Sequence, residues 1–284
     1  MDTVVDTVEI ACDESGFSGT NLLDPRSPVI AHASVDLAQD EAVELLAGLR
    51  SSLGRRAVAE HKAHLLLRAG RGRAVERFLS TLDGRSHVHV LDKRGFVAAR
   101  VLELLVFEPS YGDGTRLGVD HHEAVAALWG HTELLAAFVA MTHTKHRRHV
   151  DPASVDRFLA AVPAGVPPLI GLTRAHVESV LVRLLAGDPT VPPPLEPLVP
   201  AVAETALAWS AGRRSVAVVH DEQSALTPLR MARLRAHLAD AVSPAPPPLL
   251  GVRQVDSRHD ARVQVADLLA GVARREATPA TIEV

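Results

Sequence analysis

The sequence predicts an α/β protein in which both ends of the chain build one sheet and the middle is helical. Short stretches rich in β-branched residues, bounded by turn-prone residues, occur before residue 95 and again after residue 213. From about 97 to 212 the strand pattern nearly vanishes, and apolar residues recur at helical spacing. We therefore predict a single domain over 1–284, with a core over 1–96 and 213–276, a helical insertion over 97–212 and a frayed tail over 277–284.

Each predicted element follows from its spacing of apolar residues. Alternation with a period of two indicates a strand, and apolar residues three and four apart indicate a helix. The predicted strands cover 7–13, 28–35, 86–93, 214–220 and 249–255. The predicted helices cover 37–50, 72–82, 97–107, 118–143, 152–161, 172–186, 200–211, 227–241 and 257–275, and 57–68 is ambiguous. Ser257 and Asp260 are the candidate N-caps of the last helix.

Composition excludes several classes of protein. Apolar residues make up 47% of the 284 residues, which is enough for a sizeable core, and the net charge of −4 gives no overall attraction to nucleic acid. Any polyanion site must therefore be a local patch or depend on metal ions. The single cysteine, Cys12, excludes a disulfide framework and fits a reducing cytosol. The N-terminus lacks a secretory signal, and His131 and Glu133 interrupt the most apolar stretch, so we expect a cytoplasmic protein with no membrane partner.

Three aspartates form the candidate site. Asp13 and Asp221 each lie at the end of a predicted strand, and Asp267 lies within the last predicted helix between two apolar faces. A carboxylate in such surroundings must be paired, hydrated or metal-bound. Mg²⁺ or Mn²⁺ would hold converging carboxylates together, because hard cations prefer oxygen ligands. Glu60 is a possible fourth ligand, and two lysines could neutralise phosphate charge, namely Lys62 and Lys93.

Simpler interpretations of these aspartates stay open. An aspartate at the end of a strand is most often a turn residue. Asp267 could pair with Arg262 or Arg274, although neither has the ideal spacing of four residues. Spacing alone does not show that the three aspartates converge.

A combination of short motifs resembles a known bacterial family. The motifs are Asp13-Glu14-Ser15-Gly16 after the first strand, Glu60-x-Lys62, Lys93, Asp221 at a strand end, and S-x-x-x-x-x-x-Q-x-A-D-x-x-A-G from Ser257 to Gly271. Together they resemble the domain-of-unknown-function family numbered 3800, whose members are similar to the ribonuclease H-like fold, over about the first 95 and last 75 residues. The resemblance implies a central mixed sheet flanked by helices. It also implies an acidic site at one edge of the sheet, made of Asp13, Asp221 and Asp267 with Glu14, Glu60, Lys62, Lys93 and Gln264 nearby.

The motifs therefore predict a metal-dependent nuclease. Its catalytic residues would be Asp13, Asp221, Asp267, Glu60, Lys62 and Lys93, of which the four acidic residues would bind one or two Mg²⁺ or Mn²⁺ ions. One alternative is a catalytically silent binding or scaffold protein whose helical insertion forms a homodimer or a surface for a partner. A second alternative is a phosphohydrolase that acts on a small nucleotide, which the acidic net charge would suit.

Other motifs are weaker or absent. His143 and His146 have a spacing that could bind zinc, but H-E-x-x-H and cysteine pairs are missing, so a solvated or phosphate-facing basic helix end is the alternative. The chain has no Walker A motif and no G-x-G-x-x-G after a strand, which disfavours nucleotide-dependent kinases and dehydrogenases.

Overall fold

The structure is a computed structural model that describes residues 6–19, 22–52, 72–118, 120–143 and 148–277. The described residues form two compact units. The first unit comprises those up to Phe17, from Val29 to Leu91 and from Ala201 onward. The second unit comprises those from Ser18 to Pro28 and from Asp92 to Pro200.

A five-stranded mixed sheet organises the first unit. Its strands are β1 (Thr7–Ser15), β2 (Val29–Val35), β3 (Ser86–Asp92), β4 (Ser215–Asp221) and β5 (Leu249–Val255). The spatial order is β3-β2-β1-β4-β5. Strand β1 runs antiparallel to β2 and parallel to β4, and β4 runs parallel to β5. The predicted mixed α/β architecture is therefore confirmed.

The described residues form ten α-helices. One of them packs on the centre of the sheet, and another connects two parallel strands. Their bounds are α1 (Gln39–Ser52), α2 (Gly72–Thr81), α3 (Lys93–Leu105), α4 (His122–Trp129), α5 (Thr132–Thr142), α6 (Pro152–Ala161), α7 (Arg174–Leu185), α8 (Leu198–Ser210), α9 (Pro228–Val242) and α10 (Ala261–Ala277). Helix α10 packs on β1 and β2, and α9 connects β4 to β5, since parallel neighbours need a crossover.

The apolar core of the first unit lies between one face of the sheet and helices α1, α2 and α10. Helix residues contribute most of this core, and the strands add Ala11, Ala33, Val35 and Val219, since each strand presents every second side chain to this face. The buried cluster includes Ala11, Ala33, Val35, Val219, Leu46, Phe78, Val265, Leu268 and Leu269. We call this side of the sheet the α10 face and the opposite side the α8 face.

Strand β1 is longer than the sequence predicted. The predicted strand stops at Asp13, but Asp13, Glu14 and Ser15 continue the pairing with β2 opposite Ala33, His32 and Ala31. The chain leaves the strand only at Gly16, which has a φ of +105°. Pairing with the fully buried strand β2 outweighs the turn preference of aspartate and serine.

The second unit contains helices α3 to α7 and one short 3₁₀ turn, Pro167–Leu169. Phe138 of α5 and Phe158 of α6 are fully buried, with ring centroids 6.2 Å apart. Helix α3 also buries an ion pair, in which Arg100 Nη1 lies 2.8 Å from Glu103 Oε2. These contacts hold the helices around an apolar core.

The strand predicted over 86–93 is confirmed with its end one residue earlier, and one helix predicted in the second unit was wrong. The predicted strand over 86–93 ends at Asp92, whose carboxylate accepts a hydrogen bond from Gly95 N at 2.5 Å, so Lys93 begins α3. The predicted helix over 118–143 is two helices, α4 and α5, because the chain turns at Gly130. Among the described residues no single helix is long and apolar enough to cross a membrane; α4 and α5 reach that length only as a pair bent by 102°.

The segment predicted as the last helix is a short 3₁₀ turn followed by an α-helix. A 3₁₀ turn covers Ser257–His259, and α10 begins after Asp260. Asp260 Oδ1 accepts a hydrogen bond from Arg262 N at 3.0 Å, so Asp260 is the N-cap and Ser257 is not. Helix α10 ends at Ala277, and the predicted tail beyond it lies outside the described residues, as does the ambiguous stretch 57–68.

Substitution of Leu46 tests the core of the first unit. Leu46 is 2% exposed in α1, so Leu46→Ala should lower the free energy of unfolding by about 2–5 kcal/mol because it leaves a cavity. The matched control is Val43→Ala in the same helix, where the side chain is 52% exposed and the loss should be below about 1 kcal/mol. Urea unfolding measures both. Equal losses would mean that α1 does not pack as described.

Candidate acidic site at the carboxyl ends of β1 and β4

Two of the predicted site residues lie side by side at the ends of parallel strands. The paired register of β1 and β4 ends with Cys12 opposite His220, and Asp13 and Asp221 are the next residues of each strand. Ala11 and Val219, two residues earlier, both belong to the α10-face cluster. Because side chains alternate along a strand, Asp13 and Asp221 also point to the α10 face.

Asp267 of α10 approaches the same place. Asp13 is only 7% exposed, and its pKa is raised to about 9, first by burial and then by the charges of Glu14, Asp267 and Asp221. A hydrogen bond from Glu14 N to Asp13 Oδ1, at 2.7 Å, acts in the opposite direction. The side chains of the three predicted aspartates are therefore close enough for the charges of Asp221 and Asp267 to disfavour ionisation of Asp13.

The side chain of Asp221 is held by a turn that the sequence motif specifies. Asp221 Oδ1 accepts a hydrogen bond from Ser257 N at 3.0 Å. Gln264, one turn before Asp267 on α10, donates from Nε2 to Ser257 O at 2.8 Å. Ser257 and Gln264 thus orient Asp221 from the start of the last helix. The spacing of serine, glutamine and aspartate was visible in the sequence, but these contacts were not.

Glu14 lies on the α8 face, although it is adjacent to Asp13. Its Oε1 accepts a hydrogen bond from Gln223 Nε2 at 2.7 Å, and Gln223 N donates to Gln254 Oε1 at 2.6 Å. Its Oε2 lies 3.8 Å from His220 Nε2. The alternation of β1 therefore divides the two adjacent carboxylates between two environments.

A buried pair of histidines occupies the α8 face behind the aspartates. His32 Nε2 and His220 Nε2 are 3.2 Å apart, His32 Nδ1 is 2.8 Å from Thr205 Oγ1, and His220 Nδ1 is 3.0 Å from Asp221 O. A carbonyl only accepts, so His220 Nδ1 carries the hydrogen. His220 Nε2 then accepts from His32 Nε2, and His32 Nδ1 accepts from the Thr205 hydroxyl.

The burial of His32 and His220 favours their neutral forms, which this hydrogen-bond arrangement requires. Burial lowers the pKa of His220 to about 4, although its bond to the Asp221 carbonyl acts the other way. Burial also lowers the pKa of His32, and the neighbouring histidines His220, His89 and His87 lower it further. Sequence reasoning missed both residues, because a single histidine in an apolar strand carries no distinctive pattern.

The turn after the acidic strand end admits only glycine. A Cβ atom on Gly16 would lie 2.5 Å from Val29 O and 2.7 Å from Arg274 Cδ. The positive φ of Gly16 also disfavours any other residue. The glycine of the Asp13-Glu14-Ser15-Gly16 motif therefore lets the side chain of Arg274 lie against the turn.

The remaining predicted residues lie elsewhere or outside the described ranges. Glu60, Lys62 and His146 lie outside the described residues. Lys93 belongs to the second unit, where it is 1% exposed and its Nζ donates to Ser27 Oγ at 3.1 Å. Arg262, one suggested partner of Asp267, instead pairs with Asp260 at 2.7 Å and with Glu9 at 2.8 Å.

Within the described part of the chain, no group of three or more histidine, cysteine, aspartate and glutamate side chains is arranged to hold a metal ion. Glu60, the fourth predicted carboxylate ligand, lies outside the described ranges.

Comparisons with known proteins gave no match, whether with models of protein families, with curated proteins or with solved structures. The family resemblance therefore stays a prediction that rests on the motifs.

Substitution of Asp13 tests the burial of its carboxyl group. Its folded pKa of about 9 lies above the ordinary 3.8, so without metal its contribution to stability is full below pH 3.8 and is lost as pH rises through 9. Asp13→Asn keeps the acceptor for Glu14 N and should raise the free energy of unfolding in EDTA at pH 8 by on the order of 1–3 kcal/mol. It should also flatten the dependence on pH.

The control for this measurement is Asp240→Asn, because Asp240 is exposed at the end of α9. Denaturant unfolding at several pH values between 5 and 9 would compare the two variants. A destabilised Asp13→Asn protein with an unchanged pH profile would show that the Asp13 carboxyl is ionised in the folded chain.

Proposed function

We propose that the protein is a hydrolase of phosphodiester bonds, a nuclease, that depends on Mg²⁺ or Mn²⁺ held by Asp13, Asp221 and Asp267. The observation that carries the proposal is the burial of the Asp13 carboxyl at the end of β1, beside Asp221 at the end of β4, with the charge of Asp267 also acting on it to raise its pKa. A divalent cation is the simplest species that lets several buried carboxylates ionise together. Such pKa shifts are concentrated at functional sites.

The residues fit such an ion chemically. All donors are carboxylate oxygens, which hard cations prefer, and Mg²⁺ usually takes one or two carboxylates together with waters and substrate phosphates. A ready-made group of three protein ligands is therefore not required. Asp13 and Asp267 would be the main ligands, while Asp221 would be oriented by the hydrogen bond from Ser257 N to its Oδ1. Glu60 stays a predicted fourth ligand.

A bound cation would supply activation of water and stabilisation of the leaving oxygen of a phosphodiester. The protein's own contribution is positional. Ser257 and Gln264 hold the Asp221 side chain, and His220 donates to the Asp221 carbonyl from the opposite face. The backbone and the side chain of Asp221 are thus fixed separately, as a precise site requires.

The fold supports the same proposal. We propose a ribonuclease H-like fold in which residues 97–212 form a helical insertion in a single domain. The family resemblance implies a mixed sheet with acidic residues on its first strand, on a later strand and on the last helix of the chain. The described chain has a mixed sheet and a last helix with acidic residues at these positions. The proposed substrates are nucleic acids or nucleotides, and a homodimer through the insertion remains part of the proposal.

Cleavage assays test the activity. Purified protein with Mn²⁺ or Mg²⁺ should cleave at least one substrate in a panel of single- and double-stranded DNA and RNA. Asp13→Asn and Asp267→Asn should each reduce the rate by at least about 100-fold, because each removes a charge that would hold the ion. Asp240→Asn should cleave at the wild-type rate.

The same assays separate the alternatives. Release of phosphate from nucleotides, without cleavage of any polymer, would identify a small-nucleotide phosphohydrolase. If wild-type protein cleaves nothing in the panel, and Asp13→Asn leaves the cellular phenotype intact, the protein is a binding or scaffold protein.

Metal binding can be measured without any substrate. Mn²⁺ at 100 times its dissociation constant should raise the free energy of unfolding by about 2.7 kcal/mol, since a ligand of the folded state stabilises it. Thermal unfolding with and without Mn²⁺ would show this as a higher Tm. The shift should disappear in an Asp13→Asn, Asp267→Asn double variant and persist in Asp240→Asn. An equal rise in Tm for the wild type, the double variant and Asp240→Asn would mean that the ion binds elsewhere.

A further inference from the structure

Arg274 shares one face of α10 with Asp267. The two residues are seven positions apart, which is two helical turns and about 10 Å along the axis. Ala270 and Gly271, between them on the same face, are both buried, so the helix backbone lies close to the sheet there. Side chains on a helix lean toward its N-terminus, which directs Arg274 toward Asp267.

Arg274 meets the acidic strand end at the Gly16 turn. The 2.7 Å between its Cδ and the position of a Cβ on Gly16 shows that glycine makes room for this side chain. Its Nε is buried, while the residue as a whole keeps partial exposure. The arginine is therefore seated beside the site by packing and does not extend freely into solvent.

The groups whose charges act on Asp13 are negative, whereas Arg274 is positive. Glu14, Asp267 and Asp221 all act on Asp13 as negative charges. The side chain of Arg274 lies against the Gly16 turn, at the end of the strand that carries Asp13, and a guanidinium group can offer two parallel N–H donors that match two oxygens of a phosphate. An acidic metal site needs such a cation nearby if it is to receive a polyanion, because carboxylates alone would repel it.

We propose that Arg274 is a substrate-binding residue that contacts a backbone phosphate next to the phosphodiester bond held at the aspartates. This inference rests on the proposed function and deepens it. Two phosphate positions along α10 imply a polynucleotide substrate and disfavour a mononucleotide. The competing explanations are that Arg274 only pairs with Asp267, or that it only stabilises the C-terminus of α10, as its exposed neighbour Arg275 can do.

Oligonucleotide binding tests the proposal independently of cleavage. Fluorescein-labelled twelve-nucleotide single strands of DNA and of RNA would be titrated with the full chain in Ca²⁺, and fluorescence anisotropy would give Kd over a range of salt concentrations. Arg274→Met keeps most of the side-chain volume but removes the charge. We expect Kd to rise about 10-fold, and the slope of log K against log salt to fall by about 0.7, for one lost phosphate contact on a single strand.

Two further variants separate contact from structure. Arg274→Lys keeps the charge and should keep the salt slope, with Kd raised only a few-fold by the loss of bidentate geometry. Arg275→Met is the matched control and should bind as the wild type does. Circular dichroism and Tm of each variant show whether the fold is intact, and the salt slope is insensitive to a modest loss of stability.

Either of two results would overturn the inference about Arg274. One is unchanged binding and salt slope in Arg274→Met, or an equal loss in Arg275→Met. The other is wild-type protein that binds neither oligonucleotide. The proposed hydrolase activity fails separately, if wild-type protein binds in an Arg274-dependent way but cleaves nothing with Mn²⁺.

Discussion

The burial of Asp13 among other carboxylates is the constraint on which the rest of the site depends. Its carboxyl group is 7% exposed at the end of the central strand β1, and Glu14, Asp267 and Asp221 all disfavour its ionisation. Folding therefore has to provide either a proton or a cation at this position. The small residues of α10 and the pairing of β1 with β2 and β4 bring about this burial.

The alternation of β1 then divides the polar groups into two systems. Asp13 joins the aspartates on the α10 face, and Glu14 joins Gln223 and the histidines on the α8 face. Asp221 connects the two, since Ser257 N binds its carboxylate and His220 Nδ1 binds its carbonyl. A change at either face would therefore alter the position of the same residue.

Sequence patterns could predict the strands, the sheet class and the three aspartates, because these follow from local alternation and strand ends. They could not predict contacts that depend on remote pairing. His32 meets His220 across 188 residues, and Gln223 meets Glu14 across 209. The same limit explains why the prediction for β1 missed its last two residues, Glu14 and Ser15, which are ordered by pairing with β2 and not by their own propensity. The single helix predicted over 118–143 was wrong for a local reason, since the chain turns at Gly130 between two segments of helical spacing.

A second group of carboxylates in the same unit shows what an ordinary structural ion network does here. Arg262 bridges Glu9 and Asp260 at 2.8 and 2.7 Å. Burial raises the pKa of Asp260, but the hydrogen bond and charge of Arg262 outweigh burial and lower it. At Asp13 the shift has the opposite sign, because the charges that act on it are negative. The fold thus places an arginine between one pair of carboxylates and leaves the carboxyl of Asp13 surrounded by the negative charges of Glu14, Asp221 and Asp267, and the proposed cation site rests on this difference.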